Sequence, residues 1–178
     1  YDAEDVRSAL GTIASSSEGL ISFVQSYRSL THIAAPVRKA FYLKDLVNDS
    51  VTIAQTNWPS AQVSYHELSE DIILYADYGQ ISQVMNNLIK NAVQAGASEI
   101  DITASIDKRE RTVINVANNG EPISETGKEQ IFVPFYTTKG DSGTGVGLSL
   151  CRQIIRLNGG TINLTSSTAE STVFTIVL

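Results

Sequence analysis

A cluster of glycines immediately before an apolar helix pattern constrains this chain more than any other feature. The segment "GDSGTGVGLSLCRQIIRLNGG" spans residues 140–160 and carries glycines at 140, 143, 145 and 147. Glycine reaches positive φ at little cost and has no side chain to keep a ligand away. The first N–H groups of a helix lack intrahelical partners and carry the positive end of its dipole, which favours an anion. The segment predicts a phosphate-binding loop, with a plain turn as the alternative for such a loop taken alone.

The glycine spacing excludes two common phosphate-binding motifs. The pattern G-x-x-x-x-G-K-[ST] does not occur in the sequence, so the chain has no P-loop. A dinucleotide-binding fold needs G-x-G-x-x-G in its first βα turn, whereas Gly143, Gly145 and Gly147 read G-x-G-x-G and only two strand-like runs follow them. The glycine-led helix is therefore expected to close a domain.

The rest of the sequence mixes helical and strand periodicities, which is typical of an α+β domain. Helices are predicted over residues 2–31, 44–56, 77–95 and from the glycine segment to about 157, and strands near 40–43 and over 61–67, 72–76, 99–107, 111–118, 160–166 and 172–178. We expect a two-layer α/β sandwich, a mostly antiparallel sheet with helices on one face, preceded by a long N-terminal helix. The irregular stretch that ends near residue 144 is longer than ordinary connections, which predicts a lid over a ligand.

The N-terminal helix carries an apolar seam. Alternating steps of four and three residues separate its positions, which are Val6, Leu10, Ile13, Ser17, Leu20, Val24 and Tyr27. Such a seam packs lengthwise on another helix, so its partner is either a missing helix or a second copy of the chain. Pro36 cannot continue the helix and marks a hinge. The expected organisation is a helix over 1–32, a hinge over 33–40 and a domain over 41–178.

Composition limits the classes of function. The net charge of −6 and the pI near 4.8 disfavour a nucleic-acid surface, since phosphate backbones need clustered Lys and Arg. Cys151 is the sole cysteine, which excludes an internal disulfide and indicates a reducing compartment. The longest apolar run is "IILYA" and no signal peptide is recognised, so we expect a cytoplasmic location without membrane contact from this sequence.

The helix predicted over 77–95 has an unusual polar face. Asp77 followed by Gln80 predicts a capping box at its start. Helical spacing of about 100° per residue places one polar stripe on Gln83, Asn87, Lys90, Asn91 and Gln94. Solvated helix faces usually carry Glu, Lys and Arg, and Asn is a poor helix former. Amide oxygens suit magnesium, which takes the remaining oxygens from water and substrate phosphates, so the stripe predicts a magnesium–phosphate role, with a solvated face as the alternative.

Three segments occur in a recognisable order: "QVMNNLIKNAVQA" (83–95), "VANNGEPI" (116–123) and "IFVPFYTTKGDSGTGVGLSL" (131–150). They resemble the N, G1, F and G2 boxes of the GHKL ATP-binding superfamily, with its Bergerat-type fold, and specifically those of sensor histidine kinases. The resemblance covers about residues 36–178, while residues 2–31 resemble the second helix of that family's dimerisation and phosphotransfer hairpin. Four ordered boxes are far more specific than any one of them alone.

The resemblance implies a site for ATP and Mg²⁺. The residues that it places around ATP are Asn87, Lys90, Asn91, Asn118, Gly120, Phe135, Thr137, Thr138, Lys139, Gly143, Thr144, Gly145, Val146, Gly147, Leu148 and Thr172. By resemblance, Asn91 binds magnesium with Asn87 as its companion, and Thr172 lies near the adenine. Phe132 and Phe135 resemble the anchors of the lid.

Two positions depart from the pattern of the family, and a third helps to choose within the superfamily. Asn118 stands where the family has an Asp that accepts a hydrogen bond from the adenine amino group, and Pro122 replaces a glycine. An Asn still offers a carbonyl acceptor but loses the charge-assisted part of the bond, about 1 kcal/mol. We therefore expect a lower affinity for adenine. Asn87 occupies the position of the Glu with which DNA gyrase and the mismatch-repair ATPases activate water, which favours phosphoryl transfer over hydrolysis.

The resemblance implies the catalytic domain of a sensor histidine kinase. His32 lies beside the hinge and His66 in a strand pattern, so neither is expected to be the phosphoacceptor, which the resemblance puts on a first hairpin helix outside this sequence. The implied partners are a response-regulator receiver domain and a second copy within the full-length parent, whose membrane attachment is left open. The alternatives are a nucleotide-binding pseudokinase or interaction module, an anti-sigma-type serine kinase and a purely structural helical dimeriser.

Overall fold

The computed structural model describes residues 2–138 and 144–178. In chain order the elements are α1 (Ala3–Thr31), β1 (Lys39–Tyr42), α2 (Leu43–Asn57), β2 (Gln62–Glu67), β3 (Ile73–Ala76), α3 (Tyr78–Gln94), β4 (Glu99–Ile106), β5 (Thr112–Asn118), α4 (Glu125–Gln130), α5 (Gly147–Leu157), β6 (Thr161–Ser167) and β7 (Thr172–Val177). Each helix and strand predicted from the sequence is present, with ends that agree closely. The short helix α4 lies in the stretch that was expected to be irregular.

The strands form two sheets. One sheet has five strands in the order β2-β4-β5-β7-β6, with β2 and β4 parallel and the other neighbours antiparallel. β1 and β3 form a separate antiparallel pair in which Phe41 lies opposite Leu74. The α+β class is confirmed, but the expectation of a single sheet is wrong. Period-2 patterns identify strands without identifying their partners, which tertiary packing selects.

Alternation along the central strands turns one face of the large sheet toward the helices. On β4, Ile100, Ile102 and Ala104 are buried, and the apolar side of α3 lies between α2, α5 and the sheet. That side consists of Ile81, Val84, Met85, Leu88, Ile89 and Ala92, all buried. Each large side chain of this kind contributes about 1.5–3 kcal/mol through burial. The core therefore fixes the rotation of α3 and directs its polar stripe away from the sheet.

The long helix α1 keeps its apolar seam largely uncovered. Its exposed large apolar side chains are Val6, Leu10, Ile13, Leu20, Ile21, Phe23, Val24 and Tyr27. The polar seam position is satisfied within the helix, since Ser17 Oγ donates to the Ile13 carbonyl at 2.8 Å. An uncovered seam of this length is what the sequence predicts for a helix that packs on a partner helix. Within the described residues, no helix is both long enough and apolar enough to cross a bilayer.

Hydrogen bonds between side chains and backbone groups hold the segment between α1 and β1 against the domain. The Val37 N–H donates to Asp77 Oδ2 at 2.8 Å, and Gln80 Nε2 donates to the Ala34 carbonyl at 2.8 Å. At the end of α5, Arg38 Nη2 donates to the Leu157 carbonyl at 2.6 Å. The predicted hinge is therefore anchored at both the first turn of α3 and the last turn of α5.

The start of α3 differs from the predicted capping box in one of its two hydrogen bonds. Asp77 caps the helix as predicted and accepts the Gln80 N–H at 3.0 Å. The reciprocal contact comes from Asn158, whose Oδ1 accepts the Asp77 N–H at 2.9 Å, and not from the Gln80 side chain. Asn158 Nδ2 donates to Gln80 Oε1 at 2.8 Å, which holds the Gln80 side chain in the same network. A residue distant in sequence thus replaces the local partner.

Candidate functional site

A cavity of about 480 Å³ opens between α3, the N-terminus of α5 and the ends of β5 and β7. The predicted site residues that line it are Asn87, Lys90, Asn91, Asn118, Thr137, Thr138, Thr144, Gly145, Gly147, Leu148 and Thr172. Gly120, Phe135 and Val146 do not line it. Lys139 and Gly143, also predicted, lie outside the described residues. The fold thus brings residues from four separated segments to one cavity.

The polar end of the cavity is the meeting point of α3 and α5. A Cβ built on Gly147 would lie 3.8 Å from Asn87 Oδ1 and 4.0 Å from Asn91 Nδ2. Both amides are half-buried, and Lys90 between them is exposed. Val146 caps α5 without a side-chain hydrogen bond, so the cap side chain supplies no acceptor for the first N–H groups of the helix. This end of the cavity offers N–H donors and amide oxygens together, a combination suited to phosphate and a cation.

Cys151, one turn further along α5, supports Asn87 from behind. The thiol is fully buried, its Sγ lies 3.9 Å from the Val84 carbonyl, and the Asn87 side chain hydrogen-bonds to it. Burial raises the pKa of the thiol to about 12, so it stays protonated at neutral pH. Cys151 is therefore a packing residue beside the cavity, with no role as a nucleophile.

A close backbone approach shapes the loop that leads into α5. Gly145 has φ +65°, and a Cβ built there would lie 2.4 Å from the Phe135 carbonyl carbon. The Phe135 N–H donates to the Gly145 carbonyl at 2.9 Å, and Phe135 itself adopts φ +66°. This conformation turns the Phe135 ring away from the cavity and onto Phe23 of α1, with ring centroids 5.2 Å apart. Glycine at 145 is thus required by the fold of the loop.

The cavity is also lined by residues that the sequence analysis did not place around ATP. They are Ala92, Gln94, Ala95, Glu121, Pro122, Ile123, Ser124, Gly127, Ile131, Tyr136 and Phe174, of which Gln94 belongs to the predicted polar stripe and Pro122 is the residue that replaces a glycine. Phe174 was identifiable in principle, because it follows Thr172 by two positions on β7 and so shares its face. Phe132 supports this wall from outside the cavity, edge-on to Phe174 at 6.4 Å and with the Arg152 guanidinium 5.0 Å from its own ring. Apolar walls with few polar groups are typical of a site for a flat ring.

The Asn118 end of the cavity contains a buried polar network. Asn118 Oδ1 accepts the Gly120 N–H at 3.1 Å, and Nδ2 donates to the Thr172 carbonyl at 3.3 Å. Thr172 Oγ1 lies 2.8 Å from Ser167 Oγ, which accepts the Ile123 N–H at 2.8 Å. Gly120 therefore acts on the site through Asn118. Ser167 lies behind the cavity wall, and its local sequence did not indicate this contact.

Neither histidine lines the cavity. His32 follows the last residue of α1, and its Nδ1 lies 2.8 Å from Thr31 Oγ1. His66 lies on β2 with an exposed ring, and its Nε2 is 3.7 Å from Asp101 Oδ1. That neither histidine is the phosphoacceptor stays a prediction.

The cavity lies in a region that matches known proteins. Residues 76–178 match the family model described as histidine kinase-, DNA gyrase B- and HSP90-like ATPase. The sensor histidine kinase ZraS of Salmonella typhi is 31% identical over 144 residues, which are 79% of this chain and 31% of that protein. The chain thus spans about a third of the length of the curated relatives that it matches.

Solved structures extend the comparison to three dimensions. The nucleotide-free catalytic domain of the histidine kinase ThkA is 34% identical with a TM-score of 0.70, covering 79% of this chain and 94% of that one. ThkA in complex with the response regulator protein TrrA is 27% identical with a TM-score of 0.75, covering 100% of this chain and 52% of that one. The second match includes α1 as well as the domain that follows it.

Proposed function

Because the chain belongs to the family of histidine kinase-, DNA gyrase B- and HSP90-like ATPases, we propose that its cavity binds ATP with magnesium and serves phosphoryl transfer to a histidine. The chain is the catalytic, ATP-binding domain of a sensor histidine kinase together with a long helix. The observation that carries the proposal is the position of Asn87 and Asn91 beside Gly147, at the first turn of α5.

The two ends of the cavity suit the two ends of a nucleotide. The first N–H groups of α5 and the side chain of Lys90 supply positive charge for the phosphates. The apolar walls and the network of Asn118 and Thr172 suit a purine ring with polar atoms on one edge. We assign the triphosphate to the α5 end and the base to the Asn118 end.

The chemistry of the donor set fits magnesium. Within residues 2–138 and 144–178, no group of three or more His, Cys, Asp or Glu side chains could hold a metal. The amide oxygens of Asn91 and Asn87 would contribute to binding, with phosphate oxygens and water as further ligands, the arrangement magnesium commonly takes with nucleotides. A magnesium ion held there would supply neutralisation of the phosphate charge.

The remaining groups position the nucleotide and exclude water. In the proposed step a histidine nitrogen attacks the γ-phosphorus in line, an N–P bond forms, and the bond to the β,γ-bridging oxygen breaks to release ADP. Asn87 cannot remove a proton from water, because an amide is not a base. The segment that carries Ser124, Gly127 and Tyr136 lines the cavity and would limit the entry of water. Lys139 and Gly143 are proposed to complete the phosphate contacts.

The identity of the acceptor and the partners is part of the proposal. The acceptor histidine is neither His32 nor His66, and the uncovered seam of α1 would pack on the helix that carries it, within a homodimer of the parent protein. ThkA has been solved with a response regulator, and we propose a receiver domain of that class as the phosphoryl recipient here. The reaction would take place in the cytoplasm.

Calorimetric titration of the chain with a non-hydrolysable ATP analogue, with and without magnesium, tests the proposal. We expect micromolar binding that depends on magnesium and is lost in Asn91→Ala. Asn86→Ala is a matched control, because Asn86 is a half-buried amide on the same helix that does not line the cavity. Absence of binding to the unsubstituted chain at millimolar nucleotide would contradict the proposal. That result would favour a non-catalytic interaction module, the alternative suggested by Asn118.

A further inference from the structure

We infer that Pro122 holds one wall of the cavity in its binding conformation before any nucleotide arrives. This wall, here called the base-side wall, is the segment over residues 119–124 that connects β5 to α4. Its residues that line the cavity are Glu121, Pro122, Ile123 and Ser124. The inference rests on the proposed function, since it concerns the free-energy cost of binding a nucleotide. Pro122 acts through the backbone of the wall, as a positioning residue.

The base-side wall contains no helix or strand, yet other parts of the domain bind its backbone. The Glu121 N–H donates to the Ala95 carbonyl at the end of α3, at 2.7 Å. The Ile123 N–H donates to Ser167 Oγ at the end of β6, at 2.8 Å. Pro122 lies between these two anchored residues and has no N–H to satisfy. The wall is therefore attached to two different elements, one on each side of the proline.

Packing adds to these hydrogen bonds at both ends of the wall. A Cβ built on Gly120 would lie 2.9 Å from the Ala95 carbonyl oxygen, so the backbone approaches the end of α3 closely. The Gly120 N–H donates to Asn118 Oδ1 at 3.1 Å. Ile123 is half-buried and packs against the hydrophobic core. A movement of the wall would therefore break contacts at both of its ends.

Pro122 restricts the two residues between these contacts. Its ring fixes its own φ near about −65° and disfavours the helical conformation of Glu121, the residue before it. Both residues are exposed, so burial contributes little to holding them in place. A glycine at position 122 would leave their dihedral angles to the two neighbouring hydrogen bonds alone. The ring therefore supplies a restraint that packing does not.

An ordered wall lowers the free-energy cost of binding. Ordering a mobile loop when a ligand binds subtracts from the affinity, and a loop that is already held in the bound conformation avoids this loss. The contacts of the base-side wall come from the domain itself and need no ligand. Pro122 therefore strengthens nucleotide binding by limiting the freedom of the unbound wall.

Backbone ¹⁵N relaxation of the nucleotide-free chain tests whether the wall is ordered in advance. The order parameters of the Glu121 and Ile123 N–H groups should be about 0.85, the value of a rigid backbone, and Pro122→Gly should lower them. Values below about 0.6 in the unsubstituted chain would overturn the inference. Pro59→Gly is the matched control, because Pro59 is also exposed and lies in the turn after α2, outside the cavity lining. It should leave both order parameters unchanged.

Calorimetry with the imido analogue of ATP and magnesium tests the effect on binding. Pro122→Gly should weaken binding by about two- to fivefold. Pro122→Ala should weaken it less, because alanine has less backbone freedom than glycine. Equal losses in the two variants would mean that only contact of the ring with the nucleotide matters, since both variants remove the ring, and would overturn the inference. Pro59→Gly should leave the affinity unchanged.

The two measurements separate this inference from the proposed function. An unsubstituted chain that binds the analogue but has a mobile wall, or that binds no better than Pro122→Gly, would overturn this inference alone. A chain that binds no analogue at millimolar concentration would overturn the proposed function and the role of Pro122 in binding with it. Circular dichroism confirms that each variant is folded.

Discussion

The ring of Phe23 on α1 packs against the ring of Phe135, with centroids 5.2 Å apart and planes tilted by 33°. Phe135 belongs to the same segment as Tyr136 and Thr137, which line the cavity. The left-handed backbone of Phe135 directs its ring outward. The contact therefore connects the long helix to the segment over residues 131–138. The position of α1 is therefore coupled to the wall of the candidate site.

Phe23→Ala should loosen the segment over residues 131–138. An aromatic pair contributes about 0.5–1.5 kcal/mol beyond area burial, so amide hydrogen exchange over residues 131–138 should accelerate by about two- to tenfold. Exchange followed by mass spectrometry measures this change. Leu10→Ala removes an exposed apolar side chain far along the same helix and serves as the control. Equal protection in all three proteins would show that the ring contact does not hold the segment.

Asp77→Ala should destabilise the junction between the hinge and α3. The carboxylate caps α3 and accepts the Val37 N–H, and loss of a helix cap costs about 0.5–2 kcal/mol in the free energy of unfolding. Denaturant titration at pH 7 measures the loss. Asp77→Asn keeps a cap acceptor and should lose less. A variant as stable as the parent would contradict the role of Asp77 in this junction.

The contribution of Asp77 should also depend on pH. Hydrogen bonds from the N–H groups of Gln80 and Val37 lower the pKa of the carboxyl below 3.8, its ordinary value. Its stabilisation is therefore present above that value and is lost as the pH falls through the lowered pKa of the folded state. The stability difference between the parent and Asp77→Ala should shrink in titrations below about pH 4. A difference that stayed constant to pH 2 would contradict a carboxylate contribution.

Elements with local signals were predictable from the sequence, and elements that depend on distant partners were not. The polar stripe of α3 and the glycines before α5 indicated the cavity because periodicity and missing side chains are local properties. Asn158 replaced the expected local partner in the α3 cap, and β1 paired with β3 outside the main sheet. Ser167 gave no signal, since its role depends on a neighbour that the β6–β7 hairpin brings within hydrogen-bonding distance.

Gly145→Ala should disrupt the cavity more than Gly159→Ala does. A Cβ at this position would lie 2.4 Å from the Phe135 carbonyl carbon, so the loop or the Phe135 segment must move. We expect loss of nucleotide binding by calorimetry. Gly159 also has positive φ, but a Cβ there would meet nothing within 4 Å. Gly159→Ala should therefore cost about 1 kcal/mol of stability and leave nucleotide affinity unchanged. Equal affinity in both variants would refute the steric argument.

Asn118→Asp should separate nucleotide affinity from stability. A carboxylate gains a charge-assisted bond to the adenine amino group, which should tighten binding of the ATP analogue by about five- to tenfold. It loses the side-chain donor to the Thr172 carbonyl, and loss of one hydrogen bond costs about 0.5–1.5 kcal/mol. The melting temperature without nucleotide should therefore fall while affinity rises. A variant with unchanged stability would contradict the hydrogen bond between Asn118 and Thr172.

We propose that one cavity holds the phosphates beside α5 and the base beside Asn118. An NMR titration of the ¹⁵N-labelled chain with the imido analogue of ATP and magnesium tests it most directly. We expect the largest shifts at the side-chain amides of Asn87 and Asn91 and at the N–H groups of Gly147 and Thr172. Shifts confined to the outer face of the large sheet, around His66, or absence of any shift at saturating nucleotide would contradict the account.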